Sequence, residues 1–130
     1  MPLERILIVE DDENLREVTH AQLEREGYEM SSAISGEQAI PILEKNPHQL
    51  IITDLNLPGM SGLDLLKRVR VEYPETAVIV MTAFGTVQTA VEAMKAGAYD
   101  YINKPVHPYE LKSLVRRSLE HHRLLQEVQP

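Results

Sequence analysis

Three short apolar runs restrict the fold of this chain more than any other feature of its sequence. They cover residues 6–9, 50–52 and 77–81, and none of them alternates polar with apolar side chains. A continuous apolar run of this length is typical of a strand covered on both faces, as in a parallel sheet flanked by helices. Residues 28–33 and 98–102 mix polar and apolar side chains and predict strands at the edges of the same sheet.

Each predicted strand is followed by a segment with helical periodicity and a start signal. The predicted starts are Asn14 or a neighbouring acid, Ser35, Ser61, Thr86 and Pro108. Five strands alternating with five helices predict an α/β fold, a single doubly wound (flavodoxin-like) domain with helices on both faces of a parallel sheet. The three apolar strands belong in the middle, which gives the strand order 2-1-3-4-5.

The periodicity also predicts which side chains face the sheet. In the first helix they are Leu15, Val18 and Leu23, and in the fourth they are Val87, Ala90, Val91 and Met94. Pro41 lies inside the second helix and predicts a kink or a late start, because proline removes a backbone donor. The histidines lack metal-ligand spacing, and we expect all five at the surface: His20, His48, His107, His121 and His122.

Composition excludes several classes of function. The 130 residues suit one domain, and the absence of cysteine excludes disulfides and thiolate metal sites. A formal net charge of −7 argues against direct nucleic-acid binding by this piece. No apolar run approaches the roughly 20 residues of a membrane span.

Polar side chains meet at one edge of the predicted sheet. Ligands of such sheets bind outside the carboxyl ends of the strands, where the strand order reverses. The residues that follow strands one, three, four and five there are Glu10, Asp11, Asp12, Asp54, Thr82 and Lys104. Crowded carboxylates with few other ligands suit Mg²⁺. Lys104 and Thr82 can then bind phosphate oxygens, and Asp54 can act as the nucleophile that forms an aspartyl phosphate.

These residues resemble the receiver domains of two-component response regulators. The resemblance rests on residues 9–11, on Asp54 with residues 58–59 after it, on residues 81–83 and on residues 101–105. It implies a signalling switch, not an enzyme, that takes a phosphoryl group from a sensor histidine kinase in the cytoplasm.

The resemblance assigns a role to each residue of the site. Asp54 would be the phosphoacceptor, and Lys104, after which a cis peptide bond to Pro105 is expected, would contact the phosphate. Mg²⁺ would be held by Asp11, Asp54, the backbone carbonyl of Asn56 and, through water, Glu10. Thr82 and Tyr101 would switch position on phosphorylation, with Gly85 making the intervening loop pliable. Asn56 and Phe84 would influence the phosphoryl lifetime, and Asp12 is expected to cap a helix.

Residues 83–86 and 89–101 further resemble the receivers of sigma-54-dependent activators of the nitrogen-regulator type. This implies an ATPase and a DNA-binding output domain in the full-length protein, with control of transcription through the face formed by the fourth helix, fifth strand and fifth helix. Residues 1–119 would be the receiver domain and residues 120–130 an extension of the last helix towards the output domain. Homodimers would form through that face or through a short coiled-coil seam of Leu111, Val115, Ser118, His122 and Leu125.

Three alternatives remain at this point. The chain could be a stand-alone receiver that acts through protein contacts. It could be a Mg²⁺-dependent aspartyl phosphatase, although Asn56 supplies an amide where such enzymes need a second acid. A flavodoxin-like cofactor binder is disfavoured, because three acids follow the first strand where a phosphate cradle would be required.

Overall fold

The computed structural model describes residues 3–83 and 87–128, with side chains described as far as residue 125. A parallel five-stranded sheet forms its centre, in the order β2-β1-β3-β4-β5. The strands are β1 (Arg5–Val9), β2 (Glu29–Ala33), β3 (Leu50–Asp54), β4 (Ala77–Thr82) and β5 (Asp100–Asn103). The predicted fold class and strand order are confirmed. The predicted roles of Phe84, Gly85 and Thr86 lie outside the described residues.

Five helices alternate with the strands. They are α1 (Glu13–Arg25), α2 (Gly36–Lys45), α3 (Gly62–Glu72), α4 (Val87–Lys95) and α5 (Pro108–Val128). Asp12 caps α1, and the hydroxyls of Ser35 and Ser61 cap α2 and α3 by accepting from backbone N–H groups one turn on. A late start of α2 is therefore wrong, because the helix begins at Gly36, five residues before Pro41. Within the described residues no helix is long and apolar enough to span a membrane.

The helices cover the two faces of the sheet in separate groups. Side chains of α2, α3 and α4 pack on one face, over Leu7, Val9 and Ile51. Those of α1 and α5 pack on the other, over Ile6 and Ile8. Each fully buried Leu or Ile contributes about 1.5–3 kcal/mol relative to an exposed position, so the central strands anchor the fold. The two central strands β1 and β3 end at the edge where the candidate site lies.

Two of the predicted core faces are wrong in detail. Leu23 of α1 is buried as predicted, but Val18 is exposed and Thr19 is buried in its place. In α4 the small residues Ala90 and Ala93 are buried, which leaves the larger apolar side chains exposed: Val87, Val91 and Met94. The physical reason is that periodicity identifies an apolar stripe but does not reveal whether the domain's own sheet covers it.

The last helix runs without interruption to Val128, and its second half still contacts the domain, since Arg123 pairs with Glu4 and the ring of His121 lies against that of Tyr99. Leu111, Val115 and Ser118 are fully buried in the domain, so these members of the predicted coiled-coil seam belong to the core. Leu125, the last member, is 52% exposed and remains accessible. The boundary after residue 119 stays a prediction.

His48 is buried, which contradicts the expected surface position. Its Nδ1 lies 2.9 Å from the carbonyl oxygen of Asn46, and its Nε2 lies 3.2 Å from the hydroxyl of Ser31. The Thr76 hydroxyl donates to the His48 carbonyl at 2.8 Å. Nδ1 must carry a proton to donate to a carbonyl, so the neutral ring with Nδ1–H satisfies both contacts. Burial lowers the pKa of His48 below its ordinary value of 6.5.

We expect His48 to make folding sensitive to mild acid. Because its pKa is lower in the folded protein, the unfolded chain takes up the proton first, and stability is lost as the pH falls below about 6.5. In urea unfolding between about pH 8 and pH 5, His48→Gln should lower stability at neutral pH by about 1 kcal/mol and flatten this decline. His107→Gln, at an exposed position, is the control. A His48→Gln decline as steep as that of the parent chain would contradict the assignment.

Candidate functional site

Three carboxylates meet at the edge of the sheet where β1 and β3 end. Asp54 is the last residue of β3 and is 4% exposed, and Glu10, which follows β1, is fully buried. Asp11 is exposed beside them. One carboxylate oxygen from each residue lies within 4.8 Å of the others. The strand order produces this cluster, because the neighbouring parallel strands β1 and β3 place their ends side by side.

Lys104, which follows β5, places its ammonium between two of these acids. Its Nζ lies 2.5 Å from Asp54 Oδ2 and 2.7 Å from Glu10 Oε1. Burial by itself lowers the pKa of Lys104, but the hydrogen bonds and charges of Asp54 and Glu10 outweigh it and raise the pKa. The peptide bond from Lys104 to Pro105 is cis, as the resemblance implied.

Glu10 carries the most strongly shifted carboxyl group at this edge. Its pKa is raised from 4.5 to about 7, chiefly by burial and in smaller part by the charge of Asp54. The Lys104 ammonium and the backbone N–H of Asp12, 3.2 Å from Glu10 Oε2, act in the opposite direction. A buried acid of this kind favours an additional cation nearby, since a cation offsets the cost of its negative charge.

The donor set of this edge fits Mg²⁺. Hard carboxylate oxygens from Glu10, Asp11 and Asp54 outnumber the one ammonium of Lys104, and Asp11 is open to solvent. Asn56 follows on the exposed loop after Asp54, and its backbone N–H donates to Asp54 Oδ1 at 3.0 Å. The metal-binding roles assigned to these residues, including the Asn56 carbonyl, stay predictions.

Thr82 and Tyr101 lie on the neighbouring strands β4 and β5. The buried Thr82 hydroxyl donates to Asn103 Oδ1 at 2.9 Å, whereas the side chain of Tyr101 is 42% exposed. The backbone N–H of Lys104 donates to the Thr82 carbonyl at 2.8 Å, which ties the two strand ends together. Sequence reasoning missed Asn103 as the partner of Thr82, although pairing of β4 with β5 places these residues opposite each other.

A doubly wound sheet with acids, a hydroxyl and a lysine at the switch-point edge defines the class of receiver domains. Comparison with known families agrees, because the family described as "Response regulator receiver domain" matches residues 6–116. The chain therefore belongs to the receiver domains of response regulators, which are signalling switches, and its predicted resemblance to them is confirmed.

Relatives and solved structures support the same family. The response regulator protein FleR of Pseudomonas aeruginosa is 44% identical over 113 residues, which are 87% of this chain and 24% of FleR. An NtrX-like response regulator of Rickettsia bellii is 40% identical over 129 residues, 98% of this chain and 27% of that protein. The chain thus spans about a quarter of the length of these curated relatives.

Among solved structures, NtrX from Brucella abortus matches with a TM-score of 0.93 and 32% identity, over 98% of this chain and 29% of that chain. A CheY-like receiver domain protein from Methanospirillum hungatei JF-1 matches with a TM-score of 0.89 and 33% identity, over 94% of this chain and 98% of that chain. The NtrX matches confirm the resemblance to receivers of the nitrogen-regulator type.

The ammonium of Lys104 should stabilise the folded chain in a pH-dependent manner. Lys104→Met leaves the buried Glu10 and Asp54 without their cation, and we expect unfolding free energy to fall by about 3 kcal/mol near pH 8. The loss should be smaller near pH 5, where Glu10 is protonated in the folded state. The raised pKa of Glu10 means that its contribution to stability is full below 4.5 and is lost as the pH rises through about 7.

Urea unfolding at the two pH values measures this difference. Lys112→Met is the matched control, because Lys112 forms a more exposed ion pair with Glu26 at 3.4 Å. Its loss should be about 0.5 kcal/mol or less at either pH. Equal losses in the two variants would show that the Lys104 ion pairs do not stabilise the fold.

Proposed function

We propose that this chain is the phosphorylation-dependent switch of a two-component system, and that Asp54 accepts the phosphoryl group from a sensor histidine kinase. The observation that supports this proposal is the position of the Asp54 carboxylate, which contacts the Lys104 ammonium and lies in a cluster with the carboxylates of Glu10 and Asp11. Among the alternatives, a phosphatase lacks a second acid at Asn56, and a flavodoxin-like binder would have to place a phosphate beside Glu10 and Asp11.

The chemical step joins an Asp54 carboxylate oxygen to phosphorus while the bond from phosphorus to the donor nitrogen breaks, and its electron pair stays on the donor. Lys104 would neutralise charge on the transferred phosphoryl oxygens. Mg²⁺, held by Asp11, Asp54 and the Asn56 carbonyl and reached by Glu10 through water, would supply further charge neutralisation. The chain catalyses only its own phosphorylation and dephosphorylation in this scheme.

Phosphorylation would then change the contacts of Thr82. A phosphoryl group adds about −1.5 to −2 of charge and strong acceptor oxygens next to this hydroxyl. Thr82 would leave Asn103 Oδ1 and donate to a phosphoryl oxygen. Tyr101, whose side chain is now 42% exposed, would turn inward into the space that Thr82 vacates.

The output surface would be the face of α4, β5 and α5. Val87, Val91 and Met94 of α4 expose apolar side chains there, and together with Tyr101 they line a groove of about 330 Å³. Exposed apolar side chains next to a partly exposed tyrosine suit a contact with a second receiver or with an output domain. Because Tyr101 lines the groove, the proposed switch would change its shape.

The output would be regulation of transcription in the cytoplasm. NtrX-like and FleR proteins are about four times as long as this chain, which leaves room in such proteins for the ATPase and DNA-binding domains of sigma-54-dependent activators. Residues 1–119 would be the receiver, and the rest of α5 would lead towards the output domain. A stand-alone receiver that acts through protein contacts remains the second candidate.

Phosphorylation by acetyl phosphate and Mg²⁺ tests the proposal directly. We expect the unmodified chain to be labelled and Asp54→Asn to remain unlabelled, because an amide cannot act as the nucleophile. Separation of phosphorylated protein on a phosphate-binding gel and intact mass measurement give the result. Asp64→Asn, a matched change at an exposed acid of α3, should be labelled as well as the parent chain. Undiminished labelling of Asp54→Asn would refute the phosphoacceptor assignment.

Binding of Mg²⁺ can be tested without phosphorylation. At ten times its dissociation constant the ion should stabilise the fold by about 1.4 kcal/mol, which corresponds to a rise of about 5 °C in melting temperature. Asp11→Asn should lose most of this rise, because it removes a carboxylate ligand.

Asp12→Asn serves as the control for the Mg²⁺ test. It changes the adjacent exposed acid, and asparagine caps helices as well as aspartate does. This variant should keep the rise in melting temperature. A rise that disappears in Asp12→Asn and persists in Asp11→Asn would place the ion elsewhere.

A further inference from the structure

The loop after Asp54 is attached to a second element of the fold, the first turn of α2. This loop spans residues 55–61, between β3 and α3. The backbone N–H of Met60 donates to Glu37 Oε2 at 2.9 Å, across 23 residues of sequence. Glu37 therefore links the end of this loop that precedes α3 to the first turn of α2.

The loop and α2 contact each other closely at two glycine positions. Gly59 has a φ of +72°, and a Cβ there would lie 2.5 Å from Glu37 Oε2. Gly36 lies opposite Met60, and a Cβ there would lie 2.9 Å from Met60 Sδ. The carboxylate of Glu37, an exposed residue, thus lies against the backbone of the Gly59–Met60 turn and accepts a hydrogen bond from it.

The start of α2 holds Glu37 in place. The Ser35 hydroxyl accepts from the backbone N–H of Gln38 at 3.2 Å, and the Gln38 side chain in turn accepts from the N–H of Ile34 at 3.1 Å. A carboxylate in the first turn of a helix is further stabilised by the helix dipole. Sequence reasoning used this segment only as a capping signal, although Glu37 itself points across to the loop.

The other end of the same loop carries the candidate metal ligand. The N–H of Asn56 donates to Asp54 Oδ1 at 3.0 Å, and the N–H of Gly62 donates to the Leu55 carbonyl at 3.0 Å. These two hydrogen bonds fix the ends of the loop. The contact with Glu37 restrains the turn between them, so it limits the orientations that the Asn56 peptide group can take.

We propose that Glu37 is a positioning residue for phosphorylation of Asp54, which acts by holding the β3–α3 loop so that the Asn56 carbonyl faces the metal site. This inference rests on the proposed function. It assigns to α2, which contributes no residue to the acid cluster, a direct influence on Mg²⁺ affinity. Outer partners that orient metal ligands typically change metal affinity by about 10- to 100-fold when they are removed.

Initial rates of phosphorylation by acetyl phosphate, measured against Mg²⁺ concentration, separate this role from general stability. Glu37→Ala should raise the apparent Mg²⁺ constant by about tenfold and leave the rate at saturating Mg²⁺ nearly unchanged. Glu37→Gln keeps an acceptor oxygen and should restore the constant to within about twofold. Glu44→Ala, which removes an exposed acid from the same helix, should behave as the parent chain.

Hydrogen exchange of the Met60 backbone amide, measured by NMR without Mg²⁺, tests directly whether this N–H is hydrogen-bonded to Glu37. Exchange should accelerate in Glu37→Ala and remain slow in Glu37→Gln and Glu44→Ala. An apparent Mg²⁺ constant that is unchanged in Glu37→Ala overturns the inference. So does a constant that rises as much in Glu37→Gln as in Glu37→Ala. If the parent chain is not phosphorylated at all, the proposed function fails, whereas Met60 exchange still reports whether Glu37 restrains the loop.

Discussion

The ion pairs of Lys104 hold together the parts of the fold that meet at the candidate site. The Lys104 ammonium contacts the buried Glu10, which follows β1, and the buried Asp54, at the end of β3. The backbone N–H of Lys104 donates a hydrogen bond to the carbonyl of Thr82, at the end of β4. Two buried carboxylates cannot stay charged at this spacing without a cation. The lysine therefore makes the acid cluster compatible with a folded sheet.

The same arrangement determines which contacts the proposed phosphorylation of Asp54 would disturb. A phosphoryl group on Asp54 would compete with Glu10 for the Lys104 ammonium and with Asn103 for the Thr82 hydroxyl. Both existing contacts are short, at 2.7 Å and 2.9 Å, so new ones can replace them only by displacing these side chains. Strong local contacts of this kind favour two alternative arrangements over a gradual adjustment.

The sheet order and its acidic edge could be predicted from the sequence because they follow from strand ends, which short apolar runs identify well. Asp54 and Lys104 were found in this way, fifty residues apart in the chain. The position of His48 was misjudged and the contact of Glu37 was missed, since a lone histidine or an acid in the first turn of a helix carries no local sign of its distant partner. The stripe of Val87, Val91 and Met94 was assigned to the core because periodicity cannot tell a covered stripe from an exposed one.

The length of α5 has a mechanical consequence. Its first half is buried against the sheet through Leu111, Val115 and Leu119, and the helix continues unbroken to Val128. The portion after Leu119 reaches about 14 Å further, at 1.5 Å per residue. A helix is stiff in torsion over such a length, so a small rotation of the buried half turns Leu124 and Leu125 through the same angle. The direction of the second half of α5 is therefore set by the packing of its first half and by the ion pair of Arg123 with Glu4.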